Sequence, residues 1–441
     1  MKLNFADILE ASNAEIIYID DSLKTSADLY GFSTDTRTIG AGSIYIPLKG
    51  ETFNGEDFIE NAVNAGAIGY FTSDKTKIFK NARFILYVSD TKEAYLKLAR
   101  FYKRSVNPFT IAVTGSSGKT TVKEMLYSVF KNAGKTVKSI LNHNNEIGLC
   151  QTLSALEPDT KYLITEMGMR GFGEIELLSK YAEPDIGIIA NTGTAHIGRL
   201  GSELNIAKAK FEIASHLKEN GILIAHDNEL IKKVNDSKHK TIYFSLKDAD
   251  IKEMTPYFSI FEYKGYEYKL NAAGAHNVQN ALAVIEAALY AGLTPEIIAE
   301  GLNEFKQIEK RWEVQKIRGF NIINDCYNSN PDSVKAALKT FLELTPAPKT
   351  AVLGDMGELG LNEEEYHIEI GKFLEQFSCD YLLTIGKLAA LIEPRNIKTM
   401  HFDDKKDAAN FIKKNLKEGS NILLKASRFM KFEEIIEEIG K

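Results

Sequence analysis

The chain has 441 residues, with 54 Lys and Arg against 60 Asp and Glu and a formal net charge of −6. That is enough length for about three domains, and the lack of a basic excess or a long single-sign run argues against a nucleic-acid partner. Cys150, Cys326 and Cys379 are odd in number, far apart and without C-x-x-C spacing, so they read as reduced thiols of a cytoplasmic protein, not a disulfide frame or zinc site.

The first residues, "MKLNFADILEASNAEI", carry acids early and show no apolar leader or cleavage site. Apolar runs such as "IGIIA" and "GILIA" fall far short of the roughly 18 residues that span a bilayer. A soluble, intracellular protein is expected. Residues 1–106 form a first block. "GSIYIPLKG" reads as a short strand, "DFIENAVNAGAIGYFTS" as a helix ended by Gly66 and followed by a strand, and "LKLARFYKRSVNP" as a helix stopped by an Asn-Pro turn.

Residues 107–309 alternate strand and helix. "FTIAVTG" leads into "KTTVKEMLYSVFKNAG", whose Val122, Met125, Leu126 and Phe130 share one face. Strands follow at "YLITEMG", "DIGIIANTG", "GILIAHDN" and "KTIYFS", with a helix at "AHNVQNALAVIEAALYAG". Residues 310–441 continue the alternation, with strand "FNIINDCYN", helix "DSVKAALKTFLEL", strand "TAVLGDMG", helix "EEEYHIEIGKFLEQF", strands "YLLTIG" and "NILLKAS", and helix "FEEIIEEIG". The expected fold class is α/β, with mainly parallel sheets covered on both faces and ligands at the carboxyl ends of the strands.

The stretch "IAVTGSSGKTTVKEM" joins a strand to a helix through a phosphate-type loop, although Val113 stands where G-x-x-x-x-G-K-[ST] has its first glycine. Gly115 and Gly118 let the backbone turn, and the helix start offers amides and a positive dipole end to an anion. Lys119 can reach the outer phosphates and Thr120 can hold Mg²⁺. Glu166, closing "YLITE", can bind Mg²⁺ directly or through water; the bland role of a helix N-terminal charge suits Glu174 better. His196, in "NTGTAHIGRLGS", can bind metal or orient a phosphoryl group, though a lone histidine is more often structural. Lys208 and Lys210 lie two apart on one helix and point in different directions. From pattern alone a solvated face is the commoner reading for both.

Asn277 and Asn280, with His276 in "AGAHNVQNALA", are one turn apart; their amides can read a base edge or merely cap a helix. "KRWEV" and "NDCYNSNPDS" bring Arg311, Asp325, Tyr327, Asn328 and Asn330, with Asp332 or Ser333 as a candidate cap.

Along almost its whole length the chain resembles the Mur ligase family. "TGSSGKTTVKEM", "NNEIG", "TEMGMRGFGEI", "HNVQNALA", "YNSNPDS", "VLGDMGEL" and "LLKASRFMKFE" occur in family order, and "STDTR…GSIYIPLKGETFNGEDF" resembles a uridine-nucleotide-binding domain. The family's loop lacks the first glycine too. "NNEIG" and "YNSNP", with no D-N-P-R motif, point to the member that adds D-alanyl-D-alanine to UDP-N-acetylmuramoyl-tripeptide.

The resemblance implies three domains: an N-terminal UDP-sugar-binding domain (1–106), a central P-loop parallel-sheet ATPase domain (107–309) and a Rossmann-like C-terminal ligase domain (310–441). It implies that Gly115, Ser116, Ser117, Gly118, Lys119, Thr120 and Thr121 hold the ATP phosphates. Asn277 and Asn280 would lie on the adenine side, and Arg311 and Asp325 would reach ATP. Thr120, Glu166, His196 and Lys210 would surround two Mg²⁺ ions, Lys210 being the lysine the family carbamylates; that implication reverses the pattern reading. Lys119, Lys210 and His196 would be catalytic, and Ser33, Thr36, Arg37, Lys49, Asn145, Asn328 and Asn330 would bind substrate. The expected protein is a monomeric, cytoplasmic bacterial enzyme with no membrane span and no nucleic-acid partner. Phe211 stands where the family has glycine, and Glu56 where it has histidine.

Overall fold

A computed structural model describes residues 1–23, 28–50, 52–79 and 81–441. Glu51, inside the N-terminal motif quoted above, lies outside the described residues. Packing divides the chain into two compact units, residues 1–111, 134–166 and 177–184, and residues 112–133, 167–176 and 185–441.

In the first unit, β1 (Glu15–Ile19), β2 (Phe32–Ser33), β3 (Ile44–Tyr45), β4 (Gly69–Thr72) and β5 (Phe84–Tyr87) form a sheet of order β1-β5-β4-β3-β2. Only β1 runs antiparallel to its neighbour. The helix Thr91–Val106 starts on the Asp90 cap and ends at Asn107, which adopts the left-handed conformation with φ 52°. The Asn-Pro stop expected there is thus a left-handed cap, tolerated by asparagine better than by most residues. This unit also takes the first half of β6 (Phe109–Thr114), continued by β8 (Tyr162–Glu166) and then β7 (Thr136–Lys138).

In the second unit the order is β6, β9 (Ile186–Ile189), β10 (Ile222–His226), β11 (Thr241–Phe244), with parallel pairing from β9 to β11. β6 and β9 are neighbours far apart in the chain, so the loops that follow them open at one carboxyl edge, where α/β sheets bind ligands. An antiparallel sheet then follows, built from β12 (Asp250–Met254), β13 (Ser259–Tyr263) and β14 (Tyr266–Leu270).

The last sheet has the order β15 (Glu313–Ile317), β16 (Phe320–Asn324), β20 (Asn421–Lys425), β17 (Lys349–Gly354), β18 (Tyr381–Ile385), β19 (Thr399–Phe402). It is parallel except for the β15–β16 hairpin. Successive residues of β20 point to opposite faces. Leu423 packs with Leu338, Phe341 and Ile370, while Ile422 and Leu424 pack with Ile412, Ile435 and Ile439. Both faces are therefore covered by helices, as a doubly wound sheet requires. All three cysteines are free. Among the described residues no helix is long and apolar enough to cross a membrane.

Candidate active site

Val113 is fully buried inside β6, so the position that usually carries the loop's first glycine belongs to the strand core. The turn begins at Gly115, where a Cβ would come within 3.0 Å of the Ser117 carbonyl oxygen. It ends at Gly118, whose φ of 76° is left-handed and glycine's by preference. The helix Lys119–Phe130 starts there, directing first-turn amides that have no intrahelical acceptor toward the loop mouth. Lys119 Nζ donates to the Gly115 carbonyl at 2.8 Å.

The amides of Ser116 and Ser117 both point to Asn191 Oδ1, at 3.0 Å each. Asn191 follows β9, and its part in the loop was not singled out from sequence: an asparagine in a polar loop announces nothing until the fold brings it to its acceptor.

Thr120 Oγ1 accepts a hydrogen bond from Arg311 Nη2 at 3.1 Å. The Arg311 guanidinium also lies 4.2 Å from the Tyr327 ring centre, and through Thr120 a residue beyond position 310 touches the loop. Asp325 is engaged differently: its carboxylate pairs with Lys425 Nζ at 2.7 Å and accepts from the Trp312 amide at 3.3 Å. Trp312 is buried, with its indole N–H donating to the Pro256 carbonyl at 3.0 Å.

Asn277 and Asn280 are buried on the helix Ala275–Tyr290. Asn277 Nδ2 donates to the Ala273 carbonyl at 2.8 Å. Asn280 lies so close to Gly118 that a Cβ there would stand 2.7 Å from Asn280 Oδ1. Asn280 thus abuts the loop, and Asn277 ties the first turn of its own helix back to the Ala273 carbonyl, a helix start with no side-chain cap. His276, next to them, is pushed down to about 4, mainly by burial.

His196 sits at φ 65° after β9. Burial first, and then the positive charge of Lys119, hold its pKa down to about 4 against the opposing pull of Glu358. Glu358 Oε2 is 3.2 Å from His196 Nδ1. Lys208 is exposed, but Lys210 on the same helix, Glu203–Phe211, is only 1% exposed. The solvated-face reading therefore fails for Lys210, because tertiary packing and not helical spacing decides which of the two turns inward. Its pKa is lowered well below the ordinary lysine value by burial and by Lys119. Phe211, where the family has glycine, is buried beside it at the helix end.

Asn330 is the N-cap of the helix Pro331–Leu344, in a capping box with Ser333. The cap is therefore Asn330 with Ser333 as its partner. Asp332 instead accepts from the Thr194 amide at 2.9 Å and from its hydroxyl at 3.1 Å. Asn328 is exposed, with its side-chain oxygen bonded to the Ser329 amide.

In the first unit, Glu166 is buried at the end of β8 and accepts from Asn144 Nδ2 at 3.0 Å. Its amide donates to Ser139 Oγ at 3.1 Å. Asn145 caps the helix Glu146–Ser154 through the Gly148 amide. Ser33 Oγ donates to the Asp35 carbonyl, and the exposed Arg37 pairs with the Asp35 carboxylate at 2.6 Å. Thr36 lies between them in the chain, half-buried. Lys49 lines a pocket with Glu56, Asp74 and Lys77. Glu56 is buried and accepts from Thr72 Oγ1, the Ser73 amide and Ser73 Oγ at 2.7–2.9 Å. The residue that departs from the family pattern thus ties its own turn to the end of β4.

Three family models match the chain: the Mur ligase family catalytic domain over residues 28–103, the Mur ligase middle domain over 113–288 and the Mur ligase glutamate ligase domain over 310–428. A UDP-N-acetylmuramoyl-tripeptide–D-alanyl-D-alanine ligase of Bacillus subtilis is 38% identical over 428 residues, 93% of each chain. MurF from Acinetobacter baumannii superposes with a TM-score of 0.89 at 28% identity, covering 100% of this chain and 99% of that one. MurF ligase from Thermotoga maritima in complex with ADP gives 0.84 at 29% identity, covering 93% and 97%. With its phosphate loop, its α/β sheets and this end-to-end likeness, the chain belongs to the Mur ligase family.

Proposed function

We propose that this chain joins D-alanyl-D-alanine to the terminal carboxylate of UDP-N-acetylmuramoyl-tripeptide at the expense of ATP, giving the pentapeptide precursor of peptidoglycan. The observation that carries the substrate assignment is the 38% identity to a ligase of that name across 93% of both chains, which includes the N-terminal, substrate-side segment. The tripeptide carboxylate attacks the γ-phosphorus and ADP leaves. The amine of the dipeptide then attacks the acyl carbon, losing a proton as phosphate departs.

A carboxylate is a weak nucleophile approaching a polyanion, so the first step depends on charge neutralisation and positioning. Amides at the start of the helix Lys119–Phe130 cradle the phosphates, and Lys119 turns from the Gly115 carbonyl toward them. Arg311 approaches from the C-terminal segment. Asn277 and Asn280 face the adenine side, and Asp325, held by Lys425, orients the nucleotide. Ser33, Thr36, Arg37, Lys49, Asn145, Asn328 and Asn330 contact the UDP-sugar peptide or the dipeptide.

By type, the Thr120 hydroxyl and the buried Glu166 carboxylate are hard oxygen donors that suit Mg²⁺, and His196 offers an imidazole kept neutral. These residues and a carbamate on Lys210 would hold two ions, which neutralise phosphate charge when bound. No carboxylate forms an ion pair with Lys210 among the described residues. Burial beside Lys119 favours its neutral amine, the form that adds CO₂ to become an anion. We place the domain boundaries near residues 106 and 309, and the enzyme in the bacterial cytoplasm as a monomer.

The test is phosphate release from ATP by the purified, CO₂-supplied protein. It should require both UDP-N-acetylmuramoyl-tripeptide and D-alanyl-D-alanine, and release independent of either would refute the assignment. Lys210→Ala should lose activity and regain part of it with acetate or formate. Full activity without the lysine would remove the carbamate from the scheme.

A further inference from the structure

We propose that Asn191 is the positioning residue that sets the conformation of the phosphate loop. Its side chain is fully committed to one dipeptide. Oδ1 accepts from the amides of both Ser116 and Ser117 at 3.0 Å, and Nδ2 donates to the Ser117 carbonyl at 3.0 Å and to Ser117 Oγ at 3.2 Å. That is the whole hydrogen-bonding capacity of a primary amide, two lone pairs and two protons. The surrounding backbone adds to it. The Ser116 amide also reaches the Asn191 carbonyl at 3.3 Å, and the Gly193 amide donates to Ser116 Oγ at 2.8 Å.

The brace comes from the segment that follows β9, the strand next to β6, 75 residues away in the chain. With Val113 locked in the strand core, the loop has only Gly115, Ser116, Ser117 and Gly118 in which to reverse direction. Fixing the middle two decides how Gly118 turns and where the helix start points. It also divides the labour among the amides: those of Ser116 and Ser117 serve the loop itself, and those from Gly118 onward serve the phosphate. A loop without the brace has to be ordered by the nucleotide, and that ordering is subtracted from affinity. Aspartate in its place keeps the acceptor but loses both donors and sets a negative charge where a polyanion binds.

The inference rests on the loop being the nucleotide site, so the experiment reads the loop and the nucleotide separately. ADP binding is measured by calorimetry, and amide hydrogen exchange at Ser116 and Ser117 is measured without nucleotide, in wild type, Asn191→Ala and the same-sized Asn191→Asp. The expected result is faster exchange at both amides in the variants. Kd for ADP and KM for ATP should rise about tenfold or more, further for Asp than for Ala, while KM for D-alanyl-D-alanine stays within about twofold. Unchanged exchange with unchanged ADP affinity would reduce Asn191 to packing. Tighter ADP binding by Asn191→Ala would mean that Oδ1 occupies a phosphate oxygen's place, which also overturns the proposal. Faster exchange in the variants, together with a wild-type protein that binds no ADP, would leave the brace standing and remove the nucleotide reading.

Discussion

His196 takes up its proton near pH 4 in the folded chain, against 6.5 for an ordinary imidazole. As pH falls through 6.5 the unfolded chain binds a proton that the folded chain refuses, so stability declines between pH 6.5 and about 4. His196→Gln should flatten that part of the Tm-versus-pH curve relative to wild type, since the remaining histidines are common to both. A difference curve with no slope in that window would mean that the imidazole is not buried as described. At this scale the sequence was legible where residue type and spelling coincide, as in the Gly-Lys-Thr run. It was illegible where a neighbour from elsewhere in the chain decides the role. Lys208 and Lys210 have equivalent surroundings in sequence, and only packing separates them. Asn191 became visible only once β9 lay beside β6.

The helix that carries the phosphate loop is fixed by what packs on its back. The helix Pro295–Asn303 crosses it at Gly301, where a Cβ would overlap Val129 Cα and stand 2.9 Å from the Ser128 carbonyl oxygen. Gly301→Ala should therefore cost about 1–3 kcal/mol by overpacking, read as a lower midpoint in urea. A variant as stable as wild type would show that this crossing can relax. Long elements with a clear period were readable, among them the helix Thr91–Val106 and the buried strands β6, β9 and β20. The sheet β12–β14 and the strand β15 were not anticipated. Each strand is five residues with charges such as Lys252, Glu262 and Lys316 on an open face, so alternation is short and no continuous apolar run marks it. β19 and the helix Lys405–Asn415 were missed too; the helix has only Ala408, Ala409 and Ile412 buried.

Within the second unit, residues beyond 310 meet the loops after β6 and β9 at several points: Arg311 on Thr120, Asp332 on Thr194, Glu358 near His196. The tightest is backbone on backbone. A Cβ at Gly198 would lie 2.7 Å from Gly360 Cα and 2.8 Å from its nitrogen. Neither backbone can move aside as a flexible side chain would, so Gly198→Ala should wedge the two segments apart. Misplacing groups that must meet at the γ-phosphate is worth on the order of a hundredfold in rate. The expected outcome is a large fall in kcat with a larger radius of gyration by X-ray scattering. Normal turnover with an unchanged scattering profile would refute the contact as a requirement for catalysis.

The chain contains one tryptophan, Trp312. It is adjacent to the arginine that touches Thr120, its indole is tied to Pro256, and its amide is tied to Asp325. All intrinsic tryptophan emission therefore originates one residue from the phosphate loop's partner, and any rearrangement of Arg311 on nucleotide loading is transmitted to a single fluorophore. Stopped-flow fluorescence of the unlabelled protein can time that rearrangement without a dye, a tag or a mutation.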